Sequence, residues 1–127
     1  MTNNTSKKIR VLIADDEFDF ASTLQTRLNL RDFEATMVSS GEEAVQAVEQ
    51  QKPDVLLLDL KMPDLDGLEV LSRLKEMGAE TKVIILTGHG SFEVGREGME
   101  MGAFDYIMKP VDLNELIVKI EDAHGSR

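Results

Sequence analysis

No cysteine occurs among the 127 residues, which excludes disulfides, thiolate metal sites and a cysteine nucleophile. Long apolar runs are missing too. The longest aliphatic stretches are about strand length, well short of the ~20 residues that a membrane-spanning helix needs. The stretch from Met1 to Lys8 is polar and carries no apolar segment of the signal-peptide kind. A basic face is also absent. The net charge is −10, and Lys7, Lys8 and Arg10 form the one basic cluster, so direct nucleic-acid binding by this chain is excluded. What is left is a cytoplasmic protein of one-domain size, with no membrane or nucleic-acid partner and enough chain to bury a core without staples.

Short β-branched runs alternate with amphipathic stretches. Strands are predicted over Ile9–Ala14, Phe33–Val38, Val55–Leu58, Val83–Leu86 and Phe104–Met108. The third is apolar at every position, as a strand covered on both faces should be. Between them, Phe18, Ala21, Leu24 and Leu28 recur at helical spacing. Ala44, Val45, Ala47 and Val48 follow Ser40 and Glu43, which read as a capping box. Leu68, Leu71, Leu74 and Met77 form a stripe that Gly78 is placed to stop, and Leu113, Leu116, Ile117 and Ile120 form the last. A Gly-rich segment from Gly88 to Gly102 holds a short helix. Its Gly95 and Gly98 each cost about 1 kcal/mol relative to alanine in a helix interior, which predicts a marginal helix that can shift, unless the glycines serve close packing. Such alternation predicts an α/β fold, a parallel sheet with helices on both faces. Residues 1–127 form one domain, with 1–7 and 124–127 expected to be flexible.

In such sheets ligands sit beyond the carboxyl ends of the strands. Those ends carry Asp15 and Asp16, then Asp59, then Thr87, then Lys109. Carboxylates crowded into one pocket repel one another and raise each other's pKa values. A hard divalent cation relieves that repulsion, and Mg²⁺ takes one or two carboxylates together with waters and a phosphate oxygen. The pattern therefore points to Mg²⁺ (or Mn²⁺) and a phosphoryl group. Asp59 would be the nucleophile, and Lys109 would neutralise the charge of the transferred group.

Asp15–Asp16, VLLLDLKMPDLDG, VIILTGHG and FDYIMKP resemble, in this order, the motif set of response-regulator receiver domains, as in the chemotaxis regulators. That resemblance implies a flavodoxin-like, doubly wound (βα)5 fold with strand order 2-1-3-4-5. It implies a phosphoprotein of two-component signalling that carries an aspartyl phosphate on Asp59, received from a sensor histidine kinase or a phosphotransfer protein in a phosphorelay. Asp16 resembles the direct metal ligand, with Asp15 assisting through water and the backbone carbonyl of Lys61 as a further ligand. Lys109 resembles the phosphate-binding lysine, followed by a cis peptide bond to Pro110. Thr87 resembles the switch hydroxyl and Tyr106 the aromatic switch behind it. Lys61 and His89, two residues after the acceptor and the threonine, would modulate phosphoryl lifetime. The implied partners further include an output domain or separate target, and a second copy bound through the fourth helix, fifth strand and fifth helix. No separate substrate turnover is expected, so the chain is not an enzyme in the ordinary sense.

Blander and rival readings compete at each position. Asp15, Asp16 and Glu17 could simply cap the first helix, Thr87–Gly88 and Lys109–Pro110 could be turns, and Tyr106 could be packing. Asp64–Leu65–Asp66–Gly67 falls short of a calcium loop, with Met62 and Arg73 where acids belong. His89 and His124 lack metal-ligand spacing. A phosphatase with an aspartate nucleophile would want a second aspartate two residues on, where Lys61 stands. A flavin-phosphate loop would not carry three acids after the first strand. A pseudo-receiver, folded but never phosphorylated, would lack one of the key groups, and none is missing.

Overall fold

A computed structural model describes residues 7–88 and 92–126. His89, the first six residues and Arg127 lie outside the described residues. The elements in chain order are β1 (Arg10–Ala14), α1 (Phe18–Leu30), β2 (Glu34–Val38), α2 (Gly41–Gln51), β3 (Val55–Asp59), α3 (Gly67–Glu76), β4 (Lys82–Thr87), α4 (Phe92–Glu100), β5 (Asp105–Met108) and α5 (Leu113–Gly125). The five strands are parallel, in the order β2-β1-β3-β4-β5. The expected flavodoxin-like topology is therefore the one observed. His124 and Gly125, assigned to the polar tail by sequence, lie within α5.

Successive residues of a strand point to opposite faces, and here both faces are covered. Leu12, Ala14, Leu56, Leu58 and Ile85 pack with Ala44 and Val48 of α2 and with Val70, Leu71 and Leu74 of α3. Val11, Ile13, Val55, Leu57, Ile84 and Leu86 pack on the other side with Ala21, Leu24 and Leu28 of α1 and with Leu116, Ile120 and Ala123 of α5. The unbroken aliphatic run in β3 is thus a requirement of burial on two sides. No helix among the described residues is long and apolar enough to cross a membrane.

Two members of the expected helical stripes are not in the core. Phe18 is 68% exposed and Met77 is 40% exposed. Phe18 opens α1 four residues after the last residue of β1, so its turn overhangs the strand ends and has no sheet beneath it. Met77 stands at the C-cap of α3. There Gly78 N–H donates to Lys75 C=O at 3.0 Å and Ala79 N–H to Leu74 C=O at 3.1 Å, the paired bonds of a Schellman turn. Gly78 has φ +67, which suits glycine. The capping box is also displaced. Glu43 N–H donates to Ser40 Oγ at 3.2 Å, while the Glu43 carboxylate accepts from the N–H of Ser39, not Ser40, at 3.0 Å.

The loop after β3 is held from both ends. The Asp64 carboxylate accepts from the N–H groups of Gly41 and Glu42 at 3.0 and 3.1 Å, which ties the loop to the start of α2. Asp66 caps α3, accepting from Glu69 N–H at 2.9 Å. Two glycines allow the approach. A Cβ on Gly41 would stand 2.7 Å from Leu65 Cβ, and one on Gly67 would stand 2.6 Å from Leu60 Cα. The partial likeness to a calcium loop is therefore two helix caps in sequence. On the same face of the sheet, a Cβ on Gly98 would run into Ile85 Cδ1, so close packing of α4 on β4 accounts for that glycine.

The two leucines near the end of α1 give a test of this packing. Leu28 is fully buried and Leu30 is 79% exposed. Leu28→Ala is expected to cost about 2–5 kcal/mol in urea unfolding, and Leu30→Ala to stay within about 0.5 kcal/mol of the native chain.

Candidate functional site

Parallel register brings the ends of β1, β3, β4 and β5 to one edge of the sheet. Asp59 is paired in register with Leu86, and Thr87 with Met108. Lys109 N–H then donates to Thr87 C=O at 2.7 Å, which carries the chain from β5 back over the same edge. The Lys109–Pro110 peptide bond is cis.

Three carboxylates meet there. One oxygen each from Asp15, Glu17 and Asp59 lies within 4.8 Å of the others. The Lys109 ammonium stands among them, 2.7 Å from Glu17 Oε1, 2.8 Å from Asp15 Oδ2 and 3.7 Å from Asp59 Oδ2. Its Nζ also lies 4.5 Å above the centroid of the Phe20 ring, a cation–π distance. Asp15 is wholly buried, and its Oδ1 accepts from Glu17 N–H at 2.9 Å. Asp15 Oδ2 has the ammonium nearby but no directed hydrogen bond among the described residues. A buried carboxylate oxygen whose near neighbour is a mobile ammonium, beside two further carboxylates, is a donor set that fits a hard divalent cation.

Burial pushes the Asp59 carboxyl up to about 6, with the Asp15 and Asp16 charges adding to the rise. The Lys61 N–H, which donates to Asp59 Oδ1 at 3.1 Å, and the Lys109 charge oppose it. Burial pulls the Lys109 ammonium down, but its contacts with Asp15 and Glu17 and the charge of Asp59 outweigh this and leave it above the usual lysine range. The hydrogen bond from Lys109 holds the exposed Glu17 carboxyl below the usual range.

Of the residues singled out by sequence, Asp15, Asp59 and Lys109 are thus in mutual reach. Thr87 is buried and lines a pocket of about 200 Å³ with Asp59, Leu60, Lys61, Asp66, Leu68, Leu86 and Gly88. Asp16 is exposed and close enough for its charge to raise Asp59, but it is outside the group of three converging carboxylates. Tyr106 is half-buried against the α2–α3 face of the core. A Cβ on Gly95 would touch both its ring, at 3.7 Å, and Thr87 Cγ2, at 3.4 Å. Lys61 is exposed, and His89 lies outside the described residues. Glu17 is the member of the cluster that the sequence assigned no more than capping. It occupies the N-cap position of α1, yet its side chain makes no cap hydrogen bond among the described residues and turns to Lys109 instead.

Comparison with known proteins gives concordant results. A family model described as the response regulator receiver domain matches residues 11–121. The chain is 36% identical over 114 residues to the regulatory protein AtoC of Escherichia coli (strain K12), a match covering 90% of this chain and 25% of that protein. It is 33% identical over 107 residues to sporulation initiation phosphotransferase F of Bacillus subtilis (strain 168), covering 84% of this chain and 86% of that protein. The chain thus spans a quarter of the first relative and most of the second. The crystal structure of FixJ-N superposes with a TM-score of 0.89 at 32% identity, over 96% of this chain and 98% of that one.

The raised Asp59 carboxyl has a consequence for stability. Its folded pKa of about 6 lies above the ordinary value of 3.8. Between these values the folded chain binds more protons than the unfolded one, so this group's contribution declines as pH rises and is fully unfavourable above about 6. In buffer free of divalent cations, Asp59→Asn is expected to stabilise the fold by about 1–3 kcal/mol at pH 8, and to lose that gain between about pH 6 and pH 4. Urea melts across that range measure it. Equal stability of the two proteins at pH 8 would mean that Lys109 and the Lys61 N–H fully offset the burial.

Proposed function

The chain belongs to the response regulator receiver domain family, and on that premise we propose that it takes a phosphoryl group onto the Asp59 carboxylate in a Mg²⁺-dependent transfer. The observation that supports this reading best is the position of Asp59, a nearly buried carboxylate with a lysine ammonium at 3.7 Å and further carboxylates around it. The name of one relative, sporulation initiation phosphotransferase F, agrees with it.

An Asp59 oxygen forms the new bond to phosphorus as the P–N bond of a partner's phosphohistidine breaks, the electron pair staying on the imidazole. Asp15, Asp16, Asp59 and the Lys61 carbonyl would hold Mg²⁺ or Mn²⁺, which when bound offsets the charge of the phosphoryl oxygens. The Lys109 ammonium supplies the matching fixed charge from the protein. The Thr87 hydroxyl, buried beside the Asp59 pocket, donates to a phosphoryl oxygen, and Tyr106, which faces Gly95 of α4 beside Thr87, follows it. Hydrolysis of the acyl phosphate restores the carboxylate, and the Lys61 side chain, exposed at the pocket rim, screens the approach of water. The donor is a sensor histidine kinase or a phosphotransfer protein in the cytoplasm. The signal passes to an output domain or separate target, or to a second copy packed on the α4–β5–α5 face, where Met108 and Val118 are exposed. Sedimentation of the phosphorylated and unphosphorylated chains tests the last of these.

Intact mass after incubation with Mg²⁺ and a small acyl phosphate is the direct test. One phosphoryl group should be gained, none should be gained with a chelator present, and none by Asp59→Asn. Lys109→Ala should slow the gain by about two orders of magnitude, the usual cost of losing one preorganised charge at a transferring group. An unchanged gain in Asp59→Asn would overturn the assignment. Lys61→Ala should alter the rate at which the phosphoryl group is lost while leaving its acquisition intact, as read by the decay of the same mass shift.

A further inference from the structure

We propose that Glu17 is the resting counter-ion of Lys109, a latch that must let go of the ammonium before Lys109 can close on a phosphoryl group at Asp59. This inference rests on the receiver reading above.

An ammonium has three N–H donors and no acceptor. In the structure Glu17 takes one at 2.7 Å, Asp15 lies as close at 2.8 Å, and Asp59 is left a full ångström farther away at 3.7 Å. The lysine that should serve Asp59 is therefore engaged elsewhere. The two partners that hold it differ in how easily they can leave. The Asp15 side chain is 0% exposed at the end of β1, with its other oxygen fixed by the Glu17 N–H. The Glu17 side chain is 64% exposed, so its carboxylate passes into water without being stranded. Lys109 itself is held at the Phe20 ring and by the backbone bond from its N–H to Thr87, so a short swing of its side chain suffices for the exchange.

No covalent step is involved: one ion pair breaks and another forms. An exposed ion pair is weak, which suits a restraint that a dianionic phosphoryl group must be able to outcompete. Glu17 could instead belong with the cation, since its oxygen also converges with those of Asp15 and Asp59. The two roles predict opposite effects when the carboxylate is removed. Without the latch, Lys109 is freer to bind the phosphoryl group. Without a metal ligand, the site is weakened.

Two substitutions separate reach from charge. Glu17→Gln removes the charge. Glu17→Asp keeps it but shortens the side chain by one methylene, about 1.5 Å, beyond hydrogen-bond reach of Lys109. The native chain and both variants are compared for the affinity of beryllium fluoride in saturating Mg²⁺, for Mn²⁺ affinity alone, and for the donor concentration that half-saturates Asp59 phosphorylation. Melting temperatures at or above the native value confirm the fold. Both variants should bind beryllium fluoride about two- to five-fold more tightly, the range set by a surface ion pair. Both should half-saturate at correspondingly lower donor, with Mn²⁺ affinity unchanged. Native behaviour of Glu17→Asp beside a shifted Glu17→Gln would make the effect one of net charge and overturn the latch. Weaker Mn²⁺ and beryllium fluoride binding in Glu17→Gln would assign the carboxylate to the cation and overturn it as well. A native chain that is phosphorylated, with both variants indistinguishable from it, would remove the latch and leave the receiver reading standing. A native chain that takes no phosphoryl group at all would remove both.

Discussion

One cation among several carboxylates governs this molecule's chemistry. The strand ends crowd Asp15, Glu17 and Asp59 into a space where one ammonium, Lys109, is the protein's own relief for their repulsion. Burial in this company opposes folding, and Asp59 bears the cost most visibly, its carboxyl raised first by burial and then by the Asp15 and Asp16 charges. The register fixes Asp15 and Asp59 at neighbouring strand ends, and Glu17 joins them from the N-cap of α1. The aliphatic residues packed on both faces place the polar ends of the strands at one edge, whatever charges they carry. Stability is spent across the core and withheld at the edge, the distribution expected where a site must respond to a ligand.

The fold was largely legible because burial on two faces leaves a coarse mark. Five aliphatic runs, each bounded by polar residues and separated by helical spacing, determine an α/β alternation with little room for another reading. The errors came where the rule of one apolar stripe meets a helix end. Phe18 and Met77 sit at the correct spacing and outside the core, because a stripe is buried only as far as there is a sheet beneath it. The displaced capping contact has the same origin. Ser40 and Glu43 mark the start of α2 correctly, but which N–H the glutamate finds depends on how the chain enters the turn.

In the site, residues at strand ends could be read from sequence because the end of a run marks them: Asp59 after VLLL, Thr87 after VIIL, Lys109 after YIM. Glu17 could not. Nothing local separates a helix-capping glutamate from one that turns to a lysine 92 positions later. The acids Asp64 and Asp66 show the converse. Their spacing falls short of a ligand loop in the sequence, and the folded chain uses both as helix caps. Gly98 belongs with these, since a glycine that costs helix propensity and one that admits a neighbouring side chain look identical until Ile85 is placed against it.

The two rims of the Asp59 pocket are built to different tolerances. On the β3–α3 side, Asp64 pins the loop to α2, and Gly41 and Gly67 leave no space for even a methyl group. On the β4 side, an added Cβ at Gly88 would meet nothing within 4 Å, and one at Gly95 would make only ordinary contact with Thr87 and Tyr106. Next to the pocket the tight contacts thus lie on the β3–α3 side, while farther along α4 a Cβ on Gly98 would run into Ile85. If Asp59 carries an added group as proposed, the room nearest to it lies at Gly88 and Gly95, beside Thr87 and Tyr106, and not beside Gly41 and Gly67.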